Sequence, residues 1–397
     1  MDINTRREEA AAAFAVKGLP TVKEEAWRFT NVSRLNDETF DASWQAATVS
    51  FNPLSDLVVV FENGKWSIEA SSLDGLPAGV RVRSIMDCAD ARLGTLADSE
   101  SGFVLSNTAQ FTDGVFIEVD AGVVLEQPIH VVHLADVEGG SFAYRHLITA
   151  AADANVTMVE EYIGSAGVRY FTNVVTETFV ADGARVDHYK IQRESTVAYH
   201  FQTLESQLGR DALFSNHAVT VGGQLGRNDI RGRLVGEDSE AICNGLYLLK
   251  EDQLFDTHLF MDHAVPKCQS HELYKGILSD YARAVFCGRI LVQQDAQETD
   301  AIQSNGNLLL SRAAKVNTMP QLEIYADDVK CTHGATIGEL DDQALFYLQT
   351  RGVDPKRANA MLTFAFANEV LDEVACSVVK PRIEEMVQDW LAGVVNE

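Results

Sequence analysis

The sequence predicts a mainly β protein: a parallel β-helix core over residues 109–338, preceded by a helical and small α/β region over 1–108 and followed by an α-helical domain over 339–397. Three observations predict it. From Gly114 the chain runs for about 220 residues as apolar stretches of strand length separated by short polar turns. Within that run, a turn bearing Ala or Glu leads repeatedly into a β-branched or aromatic residue, as DANV, GARV, DALF, SEAI, RAV and AAKV. The final residues Val156, Val186, Phe214, Ile242, Val285 and Val316 are spaced 30, 28, 28, 43 and 31 apart. Beyond Gly338 the apolar pattern turns helical. A near-constant period of roughly 20–50 residues marks stacked supersecondary units, and strands without interleaved helices select a parallel β-helix. The 43-residue step is expected to hold an irregular excursion through HAVPKCQSHELYKG. A large β-sandwich or up-and-down barrel is the competing reading of many short strands.

Ahead of the repeat, Arg6 to Val16 is rich in Ala and Glu and reads as helix, and EEAWRFTNVSRL offers Trp27 and Phe29 as packing anchors. From Leu57, LVVVFENGKWSIEA alternates as a hairpin, with Asn63-Gly64 suited to the two positive-φ positions of a type I′ turn. Val80 to Ile85 reads as a further strand and Arg92 to Asn107 as helical or irregular. The core then opens with FIEV, PIHVVHL, HLITA and VTMVEEYI.

After the core, Asp341 or Asp342 is the expected N-cap of a helix ended by Gly352. Asp354-Pro355 starts the next helix, Ala358, Met361, Leu362 and Ala365 recur along it, and Lys380-Pro381 is expected to break it. Ile383, Met386, Val387, Trp390, Leu391 and Val394 then form one apolar stripe, expected to cover the protein's own domain. The neighbouring TFAFANEV, with Phe364 and Phe366, is the better candidate for a docking surface.

Composition excludes several functions. A formal charge of −26 argues against nucleic acid and anionic membrane as main partners, since those require basic patches. No apolar run reaches the roughly 18 residues of a membrane span, and MDINTRREEAAAAFAV lacks the apolar centre of a signal peptide, so a cytoplasmic protein is expected. The six cysteines form no C-x-x-C pair, which weakens zinc-finger and thioredoxin readings and leaves free thiols in a reducing compartment. There is no phosphate loop, and the glycines of VTVGGQLGRND read as turns between coils. Because β-helices often carry polysaccharide-cleaving carboxylates, a polysaccharide-acting enzyme is a second reading. Asp153, Asp182 and Asp238 sit in turns, however, and read as a solvated face. A purely structural adaptor is a third.

The remaining chemical signal is YADDVKCTHGATIG. On a strand, Cys331 and His333 project to one side and Lys330 and Thr332 to the other, so a thiol and an imidazole stand side by side as half a metal site. Two ligands cannot complete a zinc site or hold an iron–sulfur cluster, so a partner chain must bring the others. The competing reading is a small apolar Cys and a satisfied His. Cys268 and His271 in KCQSHE are a weaker pair, facing opposite sides of a strand, and Cys243, Cys287 and Cys376 read as packing.

At this point the chain resembles the SufB/SufD family of iron–sulfur cluster assembly proteins. The resemblance rests on EEAWRFTNVSRL, NTAQFTDGVFIEVDAGVVLEQPIHVVH, TNVVTETFVADGARVDHYKIQRES, DAQETDAIQSNGNLLLS, PQLEIYADDVKCTHGATIGELDDQALFYL and RANAMLTFAFANEV, and covers most of residues 20–375. It implies a non-catalytic scaffold subunit with a right-handed parallel β-helix, pairing with the paralogue SufB. It also implies that the C-terminal helices bind the ABC-type ATPase SufC, with Phe364, Phe366, Asn368 and Glu369 as candidate contacts. Nascent clusters would form at the interface with SufB, where His333 and Cys331 would share a transient Fe–S cluster or iron and contribute to iron acquisition, His333 being the more important. Reduced flavin in the complex belongs to the same implication and has no motif here. SufB-like chains are longer and typically have His-Glu where this chain has His333-Gly334, so the D-type role is favoured over the alternative of a primary cluster scaffold. Cys287, in VFCGRI, stands where a polar residue is expected. Isolated, the uncovered β-helix end presents unpaired strands, so a homodimer is expected.

Overall fold

In the computed structural model, which describes residues 3–41, 44–88 and 90–395, successive strands from Val115–Val119 onward alternate between two sheets, each coil giving one strand to each. Among the described residues one sheet has ten strands and the other nine. From Ile129–Ala135 to Val329–Gly338 each strand pairs in parallel with its counterpart one coil away, so the register offset is the coil length. That offset runs from 26 residues, where Tyr199 faces Leu225, to 32, where Arg283 faces Lys315. The fold is a β-solenoid, and Val156, Val186 and Phe214 face one another in neighbouring strands as the repeat predicts.

The 43-residue step is not an excursion. HAVPKCQSHELYKG is the end of strand Leu254–His263, a short turn, and most of strand Gln269–Leu278. Ile242 faces His271, whereas Val285 lies on strand Arg283–Val292 of the other sheet, so the step spans about one and a half coils. The repeat motif is a corner, and corners occur on both edges of the solenoid. On one edge Asp153, Gly183, Asp211, Asp238, Lys267 and Glu298 all have φ between 56° and 69°. Asp tolerates this left-handed conformation because its side chain bonds locally. The next residue of each corner, Ala154, Ala184, Ala212, Ser239, Cys268 or Thr299, is buried and must be small. Cys268 is therefore a corner filler, 3.3 Å from Ser239 Oγ, while His271 lies on the following strand.

The two ends of the solenoid differ. At the first, Val58–Glu62 joins the ten-stranded sheet beside Ile129–Ala135 and turns through Asn63 (φ 47°) and Gly64 (φ 95°) into antiparallel Lys65–Ser72. Val80–Ser84 closes the other sheet, also antiparallel. At the far end, Lys315–Ile324 and Val329–Gly338 are edge strands, the second largely exposed.

Helices cover the outer faces. Trp27, Val32 and Leu35, with Phe103 of helix Gly102–Gln110, pack on Tyr199, Phe201 and Leu225 of the nine-stranded sheet. Helices Pro355–Leu371 and Val379–Val395 lie on the ten-stranded sheet, where Ile383, Met386, Val387, Trp390 and Leu391 meet Tyr189, Ile191, Val219, Leu246 and Ile277. The stripe thus covers its own domain. Pro381 does not break a helix: it sits in the first turn of Val379–Val395, where its missing N–H costs nothing. Asp341 and Asp354 cap as expected, accepting from Gln343 and Lys356 N–H at 2.7 and 2.9 Å. Among the described residues no helix is long and apolar enough to cross a membrane.

Candidate functional site

Cys331 and His333 lie on Val329–Gly338, the outermost strand of the ten-stranded sheet, in register with Ala301 and Gln303. Because Ala301 and Gln303 are interior residues, Cys331 and His333 share the interior-facing side of the strand, at a level with no further coil above it. Cys331 is half-buried against the core and His333 is exposed. Burial, and secondarily the charge of Asp300, raise the Cys331 thiol above its usual pKa, so it holds its proton near neutrality.

A second constellation lies between the sheets. Adjacent Glu160 and Glu161 point to opposite faces of Asn155–Gly164. Glu161 faces outward, 3.1 Å from His130 Nε2, 2.7 Å from Arg193 Nε and 3.1 Å from Arg382 Nη1, which ties the last helix to the sheet. Glu160 faces inward, 3.0, 3.2 and 3.5 Å from Nε2 of His188, His146 and His133, and accepts from Tyr162 Oη at 2.5 Å and Gln202 Nε2 at 3.1 Å. Burial opposes its ionisation, but the hydrogen bonds from His133, His146 and His188 outweigh that and hold its pKa well below the usual carboxylate range.

The ligand atoms of His133, His146 and Glu160 lie within 4.8 Å of one another, a spacing that could coordinate a metal ion. The protons are placed otherwise. Val115 N–H donates to His146 Nδ1 at 3.0 Å, and the Asn216 amide, as oriented, contacts His188 Nδ1 at 2.7 Å. Each neutral ring then carries its proton on the Nε2 that faces Glu160. In this state the cluster is a carboxylate caged by donors, and among its histidines only His133, stacked between Phe61 and Tyr162, has an Nδ1 without a hydrogen-bond partner. The sequence signal for this cluster was two adjacent acids inside the apolar run VTMVEEYI: in a strand buried on both faces, both need partners.

The candidate docking residues are partly engaged within the chain. Lys275 Nζ lies 4.1 Å from the Phe366 ring centroid, donates to Phe366 O at 3.1 Å and pairs with Glu369 at 2.6 Å. Asn368 donates to Asp372 at 2.7 Å. Phe364 lines a groove of about 600 Å³ with Met361, Ala360 and Leu391. The exposed aromatics nearby are Phe346 and Tyr347 of helix Asp342–Thr350, 68% and 57% accessible.

Comparison with known proteins agrees with this architecture. Residues 133–366 match the family described as SUF system FeS cluster assembly, SufBD core domain, and residues 1–131 match the SufBD protein N-terminal region. An iron-sulfur cluster assembly SufBD family protein of Synechocystis sp. is 32% identical over 407 residues, covering 96% of this chain and 90% of the relative. Iron-sulfur cluster assembly protein SufD of Escherichia coli is 32% identical over 387 residues, covering 95% and 90%. SufD of Bacillus subtilis is 23% identical over 286 residues, covering 71% and 65%. With both regions matched and the solenoid, the edge-strand Cys331–His333 motif and the C-terminal helices in place, the chain belongs to the SufBD family, whose members are non-catalytic scaffolds of iron–sulfur cluster assembly.

Proposed function

We propose that this chain is the D-type scaffold subunit of a SUF assembly complex, pairing with SufB through the open end of the solenoid and binding the SufC ATPase through its C-terminal helices. The observation that carries the reading is the place of Cys331 and His333, on an edge strand whose outer ladder has no partner among the described residues. Such an edge is a template for strand addition, and it sets two potential ligands where a second chain can supply the rest. The cluster or iron held there is cargo, shared with SufB.

The ATPase would meet Phe364, Phe366, Asn368 and Glu369 together with exposed Phe346, Tyr347 and Met361. Deleting residues 340–397 would strip the apolar cover from the ten-stranded sheet, so point changes test docking better. With the three proteins purified together, His333→Ala should leave the complex assembled and abolish cluster formation. Phe346→Ala with Tyr347→Ala should release the ATPase alone. Unchanged cluster formation with His333→Ala refutes the ligand role.

A further inference from the structure

Cys287 is not core packing, although its surroundings in sequence are apolar. On Arg283–Val292 the interior positions are Ala284, Phe286, Gly288, Ile290 and Val292, and Cys287 points outward, half-buried. Register places it between two other side chains able to bind a soft metal: His258 faces Cys287 on one side and Met319 faces it on the other. Neighbouring parallel strands lie about 4.8 Å apart, so the three side chains form a row across three strands. All three line one cleft of about 360 Å³, roofed by the turn at Glu25 and Ala26.

The protons suit ligation here, unlike in the interior cluster. His258 Nε2 is 3.1 Å from Asp256 Oδ1. Asp256 is fully buried, and its other oxygen accepts from Arg227 Nη1 at 2.7 Å and Thr30 Oγ1 at 2.6 Å. With that carboxylate facing Nε2, a neutral ring that places its proton there leaves Nδ1 as its acceptor nitrogen. A carboxylate behind one ring nitrogen and a free lone pair on the other is the usual wiring of a metal-binding histidine. Arg28 Nη2 now rests 3.0 Å from Met319 Sδ and would have to swing aside.

We propose that the cleft between the N-terminal turn and the nine-stranded sheet is a binding site for a soft monovalent metal ion, Cu(I) or Ag(I), held by Cys287 Sγ, Met319 Sδ and His258 Nδ1. Thiolate and thioether donors select Cu(I) over the harder divalent ions. Binding is a simple exchange: the Cys287 thiol loses its proton to solvent, a sulfur–metal bond forms, and the metal keeps its oxidation state. The site lies on the opposite sheet from Cys331 and His333 and does not depend on the assembly role proposed above.

The test is anaerobic titration of the full-length reduced chain with Cu(I) against bicinchoninate, with X-ray absorption at one equivalent. One equivalent should bind more tightly than the rest, with two sulfurs and one nitrogen around the metal. Cys287→Ser should remove it, Met319→Leu and His258→Asn should weaken it by about 10- to 100-fold, and Cys331→Ser should leave it in place. If Cys287→Ser fails to fold, Met319→Leu decides, since it preserves volume on an edge strand. An unchanged tightest equivalent in Cys287→Ser or in Met319→Leu, or its loss in Cys331→Ser, overturns the site.

Discussion

Glu272 offers a quantitative test of how the solenoid interior treats charge. It is fully buried and accepts from Gln303 Nε2, and among the described residues it has no hydrogen-bond donor at Oε1 and no cation in contact. Burial raises its pKa from 4.5 to about 7. Below pH 4.5 both folded and unfolded chains carry the proton and the residue is neutral in its effect. Between 4.5 and 7 the unfolded chain ionises while the folded chain does not, so stability falls as pH rises. Above 7 the loss is constant. At about 1.4 kcal/mol for each pH unit between the two values, the accumulated loss is about 3 kcal/mol. Glu272→Gln removes the titration and adds one unpaired amide N–H, costing about 1 kcal/mol at every pH. The variant should therefore be slightly less stable than the parent near pH 4.5 and about 2 kcal/mol more stable at pH 8. Urea midpoints at constant ionic strength across that range measure it. A difference between the two proteins that does not change with pH refutes the assignment of an uncompensated buried carboxyl.

Other expectations follow from the same packing. Gly288→Ala would place a Cβ 2.1 Å from Gln303 Nε2 and 2.4 Å from its Cδ, and should cost about 1–3 kcal/mol, partly recovered by adding Gln303→Ser. Burial lowers the His263 pKa from 6.5 to about 4, so its contribution is present above pH 6.5 and lost as pH falls to 4. His263→Gln should flatten that limb by about 3 kcal/mol in acid unfolding. Lys275→Met keeps the aliphatic stem but gives up the Phe366 and Glu369 contacts, and should cost about 1–2 kcal/mol, with faster hydrogen exchange confined to the last two helices.

The solenoid was legible because its corners have a chemistry of their own. Asp or Gly in the left-handed region followed by a small buried residue recurs at Asp153-Ala154, Gly183-Ala184 and Asp211-Ala212, and its spacing is the coil length. A similar corner on the second edge, where Asp280 (φ 52°) is followed by exposed Tyr281 and then by buried Ala282, made the repeat jump sheets between Ile242 and Val285. The edge-strand motif was legible because Cys331 and His333 are two residues apart on one strand. The Glu160 cage was not, since His133, His146 and His188 reach it from three other strands. Nor was the Cys287 row, because its members are 29 and 32 residues apart and only register brings them together. VFCGRI alone does not reveal which face its cysteine takes.

The asymmetry of the solenoid's ends connects partner choice to chemistry. The first end is closed by short antiparallel strands bearing ion pairs such as Arg81 with Glu118 at 2.8 Å and Asp120 at 2.5 Å, a charged edge that resists further pairing. The far end has no such closure: Val329–Gly338 offers an exposed ladder with Ile337 49% accessible. A partner strand added there would place its own side chains about 4.8 Å from Cys331 and His333. Pairing and completion of the ligand set would then be one event. Ile337→Lys, four residues beyond His333, separates the two. Its side chain is half exposed, so folding should change by less than about 0.5 kcal/mol, while an interior-facing charge at the edge blocks strand addition. The expected result is joint loss of self-association in the isolated chain, of pairing with SufB and of cluster formation, whereas His333→Ala loses cluster formation alone. Cluster formation that survives Ile337→Lys without pairing would show that the edge is not where the ligand set is completed.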